Sequence, residues 1–207
     1  MRKFALSVVL VMFSCISLFA QNYIFTGIIR YTGYSKTPEN IEDYIIYFNP
    51  GDNSVIGFEH IDRSEQASNG VMILDFAQAK QILLDRREKT GISFPLQEIE
   101  PVFFAINLDS TGSKLVNKLR CITYQGQKNG KTYDYTVAIT SPRVDTLFGI
   151  LNGLGIDFIL YPRGNKTLIT EYTVRQNSDT LSHFKLEKLN IDTYIKFDTK
   201  KYRMRKM

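Results

Sequence analysis

Tryptophan is absent from the 207 residues, histidine and cysteine each occur only twice, and proline occurs six times. Each scarcity removes a class of function. Two histidines and the one cysteine outside the first twenty residues, Cys121, cannot furnish the usual zinc ligand sets, and no histidine pair has helical spacing. A serine or cysteine nucleophile needs a positioned base; only His60 and His183 could serve, and no Gly-x-Ser-x-Gly elbow accompanies them. His60, between Glu59 and Ile61 in a strand-like run, reads as an exposed or edge position, and both histidines read as structural. Without tryptophan the chain lacks the usual best sugar-stacking platform. Its neighbouring acids, Glu98 with Glu100 and Glu42 with Asp43, are adjacent in sequence only, which is no sign of a glycosidase pair. The glycines from Gly149 to Gly155 lack the Gly-Lys-Ser/Thr ending of a phosphate loop. Asp52-Asn53 lacks the glycine and distal glutamate of a calcium loop. No enzyme, metal site or cofactor is expected.

What is present suits a single globular domain. Hydrophobic residues make up 43% and charged residues 23%, and a chain of this size buries roughly 70% of its unfolded surface. Disordered, collagen-like and disulfide-scaffold classes are therefore excluded.

Residues 1–20 have the layout of a secretory signal peptide: Arg2 and Lys3, an apolar run from Phe4 to Phe13, then Ser14 to Ala20, with no acidic residue. Cleavage after Ala20 leaves residues 21–207 as one β-rich domain bound for the periplasm or cell envelope. A lipoprotein processed at Cys15 is the alternative, but Met12 and Phe13 fit its cleavage pattern poorly and Ile16, Leu18 and Phe19 continue the apolar segment. After cleavage Cys121, in the apolar stretch LRCITY, is the single thiol and is expected to be buried. The formal charge of +5 falls to +3 with Arg2 and Lys3 removed. Lys200, Lys201, Arg203, Arg205 and Lys206 lie in the last eight residues, so the basic character belongs to a C-terminal tail, read as a solvated end that could touch anionic lipid or surface glycan. Nucleic acid is not an expected partner.

From Tyr23 the pattern alternates with period two: Tyr23, Phe25, Gly27, Ile29 and Tyr31 share one parity, Thr26 and Arg30 the other. Further strands are predicted over 43–49, 55–61, 71–76, 80–86, 118–125, 132–140, 167–175, 181–189 and 194–202. Pro50 to Asn53 and Ala77 to Ala79 are short enough to close antiparallel hairpins, and Asn129-Gly130 carries the side chains a type I′ turn demands. One segment has helical spacing. Ser141-Pro142 followed by Val144, Leu147, Phe148, Ile150, Leu151 and Leu154 predicts a helix from Pro142 to Gly153 that covers the sheet. The stretch from Gly91 to Gly112, broken by Pro95 and Pro101, has no clear period and leans to strand. The fold class predicted is mainly β, an antiparallel meander forming an open or half-closed barrel with one covering helix.

Twelve tyrosines and fourteen phenylalanines fall mostly within the strands, with Tyr44, Tyr47 and Phe48 close together and Tyr124, Tyr133 and Tyr135 across one hairpin. Such residues line pockets for amphiphilic ligands, and they equally make cross-strand pairs. The order YIFTGIIRY, DYIIYFNPGDNSVIGFE, VMILDFAQAKQILLDRREKTG, followed by KLRCITYQ, resembles a secreted bacterial domain-of-unknown-function family, number 4412, over about half of the chain. That layout is similar to the Lol-type periplasmic lipoprotein carriers, which implies a half-closed antiparallel barrel with helices over an apolar cavity. The expected function is thus an exported, non-enzymatic binding protein for a lipid or other apolar ligand. Phe25, Tyr47, Phe58, Phe76, Phe148 and Leu151 are its candidate cavity residues. The alternative is an envelope protein-protein interaction module with a filled core. Alternation leaves the oligomeric state open.

Overall fold

The computed structural model describes residues 21–35, 37–64, 70–96, 107–139 and 167–206. The predicted signal segment with Cys15, the predicted helix from Pro142 to Gly153 with Phe148 and Leu151, and the pair Glu98 and Glu100 lie outside the described residues. The first half of the chain supplies β1 (Asn22–Phe25), β2 (Gly27–Tyr34), β3 (Glu42–Asn49), β4 (Asp52–Asp62), β5 (Gly70–Asp75), β6 (Lys80–Asp85) and β7 (Thr90–Pro95). The second supplies β8 (Asp109–Val116), β9 (Leu119–Lys128), β10 (Lys131–Ile139), β11 (Thr167–Gln176), β12 (Asp179–Asn190), β13 (Ile195–Asp198) and β14 (Arg203–Lys206).

Twelve of these strands form one sheet in the order β14-β7-β6-β5-β4-β3-β2-β12-β11-β10-β9-β8, while β1 and β13 make a separate ribbon. Pairing is antiparallel throughout except where β14 joins β7 in parallel. The outermost strands, β14 and β8, do not pair with each other. The molecule is therefore mainly β, an antiparallel open sheet and not a closed barrel. β2 to β6 run as the predicted meander and β7 extends it, and the Asn129-Gly130 turn between β9 and β10 has φ of 52° and 71°, as a type I′ hairpin requires.

The predicted strand from Tyr23 to Tyr31 is two strands, because Asn49 pulls it apart at Thr26. The Asn49 side-chain oxygen accepts from the Thr26 backbone N–H at 3.0 Å and its amide donates to the Ile24 carbonyl at 3.0 Å. The Thr26 N–H also reaches the Phe48 carbonyl at 3.2 Å, whereas the Ile24 carbonyl is turned to the Asn49 side chain, and β1 pairs with β13. The undecided stretch from Gly91 to Gly112 supplies most of β7 and the first half of β8, a strand whose polar sequence, DSTGSKLV, has little apolar alternation to reveal it. The C-terminal residues are corrected from a solvated end to ordered structure. Thr199–Lys201 form a 3-10 turn capped by Asp198, and Arg203–Lys206 form β14, whose Met204 docks over Gly91 while Arg203 and Arg205 stay exposed. Two apolar positions, Tyr202 and Met204, hold the basic segment on the fold.

Alternation sends side chains to two faces of the sheet, and each face has its own core. On the first, Ile29, Tyr31, Ile46, Phe48 and Ile56 meet Tyr135, Tyr172 and Phe184. On the second, Tyr47, Val71, Ile73, Ile82 and Leu84 are covered by Tyr23, Phe25 and Phe197 of the ribbon. At the β8 end the ladder shifts register between Thr136 and Val137, and a bulge of this kind bends the strand. Lys114 of β8 there pairs with Glu171 of β11. Three strand steps, roughly 14 Å in a flat sheet, separate those strands, so this end of the sheet is coiled.

Candidate functional site

Four of the six predicted cavity residues are described, and they do not converge. Phe25 and Tyr47 lie in the second-face core with ring centroids 6.0 Å apart. Phe197 closes over both, 5.9 Å from Phe25 and 5.2 Å from Tyr47. Phe58 and Phe76 pack against the first-face core instead. The register explains the division: Phe58 opposes Ile46, whereas Tyr47 opposes Gly57, so the two residue sets occupy opposite parities of β3 and β4. On both faces the aromatic side chains fill the interior. Phe25 and Phe48 are fully buried, and Tyr31, Tyr135 and Tyr172 nearly so. Tyr31 reaches across β12 to donate its hydroxyl proton to the Ile169 carbonyl at 2.8 Å, and its burial holds the phenol well above its ordinary pKa.

The carboxylates buried with these cores come already matched, although the Nε of Arg30 beside Asp43 is buried without a partner. Asp43, 2% exposed at its side chain, accepts from Arg30 at 2.6 Å, Thr32 at 2.6 Å and Arg63 at 2.8 and 2.9 Å. Burial pushes its carboxyl up, but the bonds from Arg63, Thr32 and Arg30 outweigh it and hold the pKa at about 2. Glu59 accepts from the Tyr47 hydroxyl at 2.7 Å and from Arg86 at 2.7 Å; burial first, then the charge of Glu59, pushes the Tyr47 phenol up to about 12. Asp75 accepts from the Tyr23 hydroxyl at 3.0 Å and from the Gln78 backbone at 2.9 Å. These carboxylates carry their counter-charges with them and hold the strands in register.

His60 is exposed, as the sequence predicts, but on the inner strand β4 and not at a sheet edge. It sits on β4 opposite Tyr44, stacks on that ring with centroids 4.5 Å apart, and bonds Glu42 at 3.0 Å through Nε2. Glu42 also accepts from Ser35 at 2.5 Å and from Tyr44 at 2.9 Å. A serine, a histidine and a glutamate thus share one place, but both Ser35 and His60 address the carboxylate, and no Ser35–His60 bond activates the hydroxyl. The adjacent acids Glu42 and Asp43 fall on opposite faces of β3, so they cannot flank one substrate bond. Among the described residues no three His, Cys, Asp or Glu side chains gather where a metal could sit.

The surface feature with a partner's geometry is an edge that the sequence analysis passed over. β8 is exposed along its length except at Val116, and Leu115 is 76% exposed. Among the described residues, no strand pairs with its outer side. The opposite edge is guarded: β14 is four residues long and bears Arg203, Arg205 and Lys206, the short, charged form that discourages pairing. On β8 the single lysine, Lys114, is tied to Glu171. The register shift at Ser110–Gly112 leaves Ser113 to Val116 as its regular part. Signals for this edge were weak because its side chains are polar and its pairing capacity lies in the backbone.

No protein-family model matches the chain, and no curated protein matches it in sequence. Solved structures share features of the fold at low identity. An uncharacterized conserved protein from Thermus thermophilus is 8% identical with a TM-score of 0.47, covering 88% of this chain and 91% of that one. The complex of MucA and MucB from Pseudomonas aeruginosa matches at 9% identity and a TM-score of 0.44, covering 82% of this chain and 52% of the other. PNGF-II matches at 9% identity and 0.41, over 88% of this chain and 31% of the other. The chain spans about half the length of the MucA/MucB match and under a third of PNGF-II.

Proposed function

We propose that this chain is an exported, non-enzymatic module of the bacterial envelope that binds another protein by accepting an extended segment along β8. The observation that carries the reading is how the interior is filled among the described residues, where Phe25, Tyr31, Phe48, Tyr135 and Tyr172 are buried in the space an apolar ligand would need. With the interior occupied, recognition falls to the surface. The outer side of β8, unpaired among the described residues, offers a row of backbone donors and acceptors to an incoming strand, with Leu115 as a side-chain contact. Export rests on the layout of residues 1–20.

The carrier of an apolar ligand is the second reading. A recess of about 360 Å3, lined by Ile82, Phe94, Pro95 and Met204 with Lys80 and Lys206 also at its walls, supports it. Its size is at the low end of the roughly 300–1,000 Å3 typical of ligand pockets, which suits a small apolar group better than a two-chain lipid. Native mass spectrometry of the protein recovered from its own export route separates the two. The module predicts a bare-chain mass or a stoichiometric protein complex, with the complex lost in Leu115→Lys and the melting temperature unchanged. A removable lipid-sized excess on the native mass, retained in Leu115→Lys, would overturn it in favour of the carrier.

A further inference from the structure

The basic C-terminal segment, once folded, does more than solvate an end. The 3-10 turn and β13 bring Lys196 and Lys201 beside the β6–β7 turn, which carries Arg86 and Lys89, around a recess of about 490 Å3. Its walls are fixed by the fold. The Arg203 backbone N–H donates to the Lys89 carbonyl at 2.8 Å, tying the two turns together. Lys89 lies over the Tyr202 ring at 5.7 Å and Arg86 over the Phe197 ring at 5.6 Å.

The charges around this recess do not cancel. Arg86 gives one N–H to Glu59, a buried carboxylate outside the recess lining. Lys89, Lys196 and Lys201 have no carboxylate partner among the described residues. The one acid in the lining, Asp198, spends an oxygen on capping the 3-10 turn through the Lys200 N–H at 3.1 Å. Setting aside the Arg86–Glu59 pair, the lining contributes three lysines and one aspartate. Like charges held together cost energy unless an anion sits among them. Several point cations and a guanidinium around one hollow suit a compact oxyanion with many acceptor oxygens, and Tyr202, Phe197 and Ile195 give the hollow an apolar wall for the body that carries it.

We propose that this recess is a binding site for a phosphate ester, the phosphate held by Lys89, Lys196, Lys201 and Arg86 and its apolar or sugar portion laid against Tyr202. The site is separate from the β8 edge, at the other end of the sheet, and does not depend on how that edge is used.

The test is titration of the purified protein with inorganic pyrophosphate at low salt, followed by amide chemical shifts. Saturable shifts confined to residues 86–89 and 195–203 are expected, with affinity falling about tenfold in Lys196→Gln/Lys201→Gln and staying unchanged in the control Lys118→Gln/Lys131→Gln. Sedimentation with phosphatidylglycerol vesicles, against phosphatidylcholine vesicles, identifies the source. Binding lost in the double variant assigns a lipid headgroup, and pyrophosphate binding without vesicle binding assigns a soluble ester. Equal affinity in wild type and Lys196→Gln/Lys201→Gln, or no saturable shift with either probe, would overturn the site. These lysines are surface groups, so unchanged shifts elsewhere certify the fold of the variant.

Discussion

Asp43 shows how a single buried residue couples this fold to pH. Its carboxyl is depressed to about 2 against an ordinary value near 3.8, so its contribution to stability is complete above the unfolded value and is lost as pH falls through the folded one. Glu42 is depressed too: burial raises it, and bonds from Ser35, Tyr44 and His60 bring it below its ordinary value. Stability measured by denaturant unfolding should therefore decline from about pH 4 toward pH 2. Asp43→Asn should lower stability at neutral pH by about 2 kcal/mol, since Arg30 and Arg63 lose a shared charged acceptor, and should flatten the acid decline. An unchanged acid limb in Asp43→Asn would assign the decline to other groups. The acid itself was visible in the sequence as a neighbour of Glu42. Its three partners were not, because Arg30 and Thr32 come from β2 and Arg63 from beyond β4, and only strand pairing brings them together.

At the scale of the strand, the alternation of apolar residues was enough to predict β3 to β6 and the β9–β10 hairpin. Close approach between strands was not predictable from it. β2 and β12 meet at Gly33, where an added Cβ would lie 1.9 Å from the His183 carbonyl oxygen and 2.6 Å from the Phe184 Cα. Both are backbone atoms and cannot turn aside. Gly33→Ala should cost about 3 kcal/mol through the central β2–β12 ladder, whereas Gly70→Ala, with nothing nearer than 3.8 Å, should change stability by less than about 0.5 kcal/mol. Thermal melts of the two variants test this, and equal melting temperatures would mean that β12 can shift away from β2. The β8 strand escaped notice for the opposite reason. It packs no apolar face, so its sequence carries no period, and its place comes from pairing with β9.

Across the whole molecule, the ribbon of β1 and β13 is what makes the second face a core. Phe197 packs against both Phe25 and Tyr47, with Arg86 over its ring. Removing it in Phe197→Ala should cost about 3–5 kcal/mol and loosen the segment that follows. Amide exchange in β14 and the 3-10 turn should then accelerate while β9 to β11 stay protected. Uniform acceleration throughout the sheet would instead mean that the two faces unfold as one unit. The same anchoring bears on the recess beside it, since Phe197, Asp198, Lys201 and Tyr202 all line that hollow.

The sequence by itself determined that the chain is strand-rich and that its strands are mostly antiparallel neighbours. Those conclusions rest on local quantities: side-chain period and turn residues. Only the tertiary structure decided that the sheet stays open, that Phe25 and Tyr47 are separated from Phe58 and Phe76 by the sheet itself, and that the basic end folds against the β6–β7 turn. Alternation tells which residues share a parity within a strand, but the face a parity occupies depends on register across strands. What covers each face depends on segments distant in sequence, as β13 covers β3, and no local pattern records that distance.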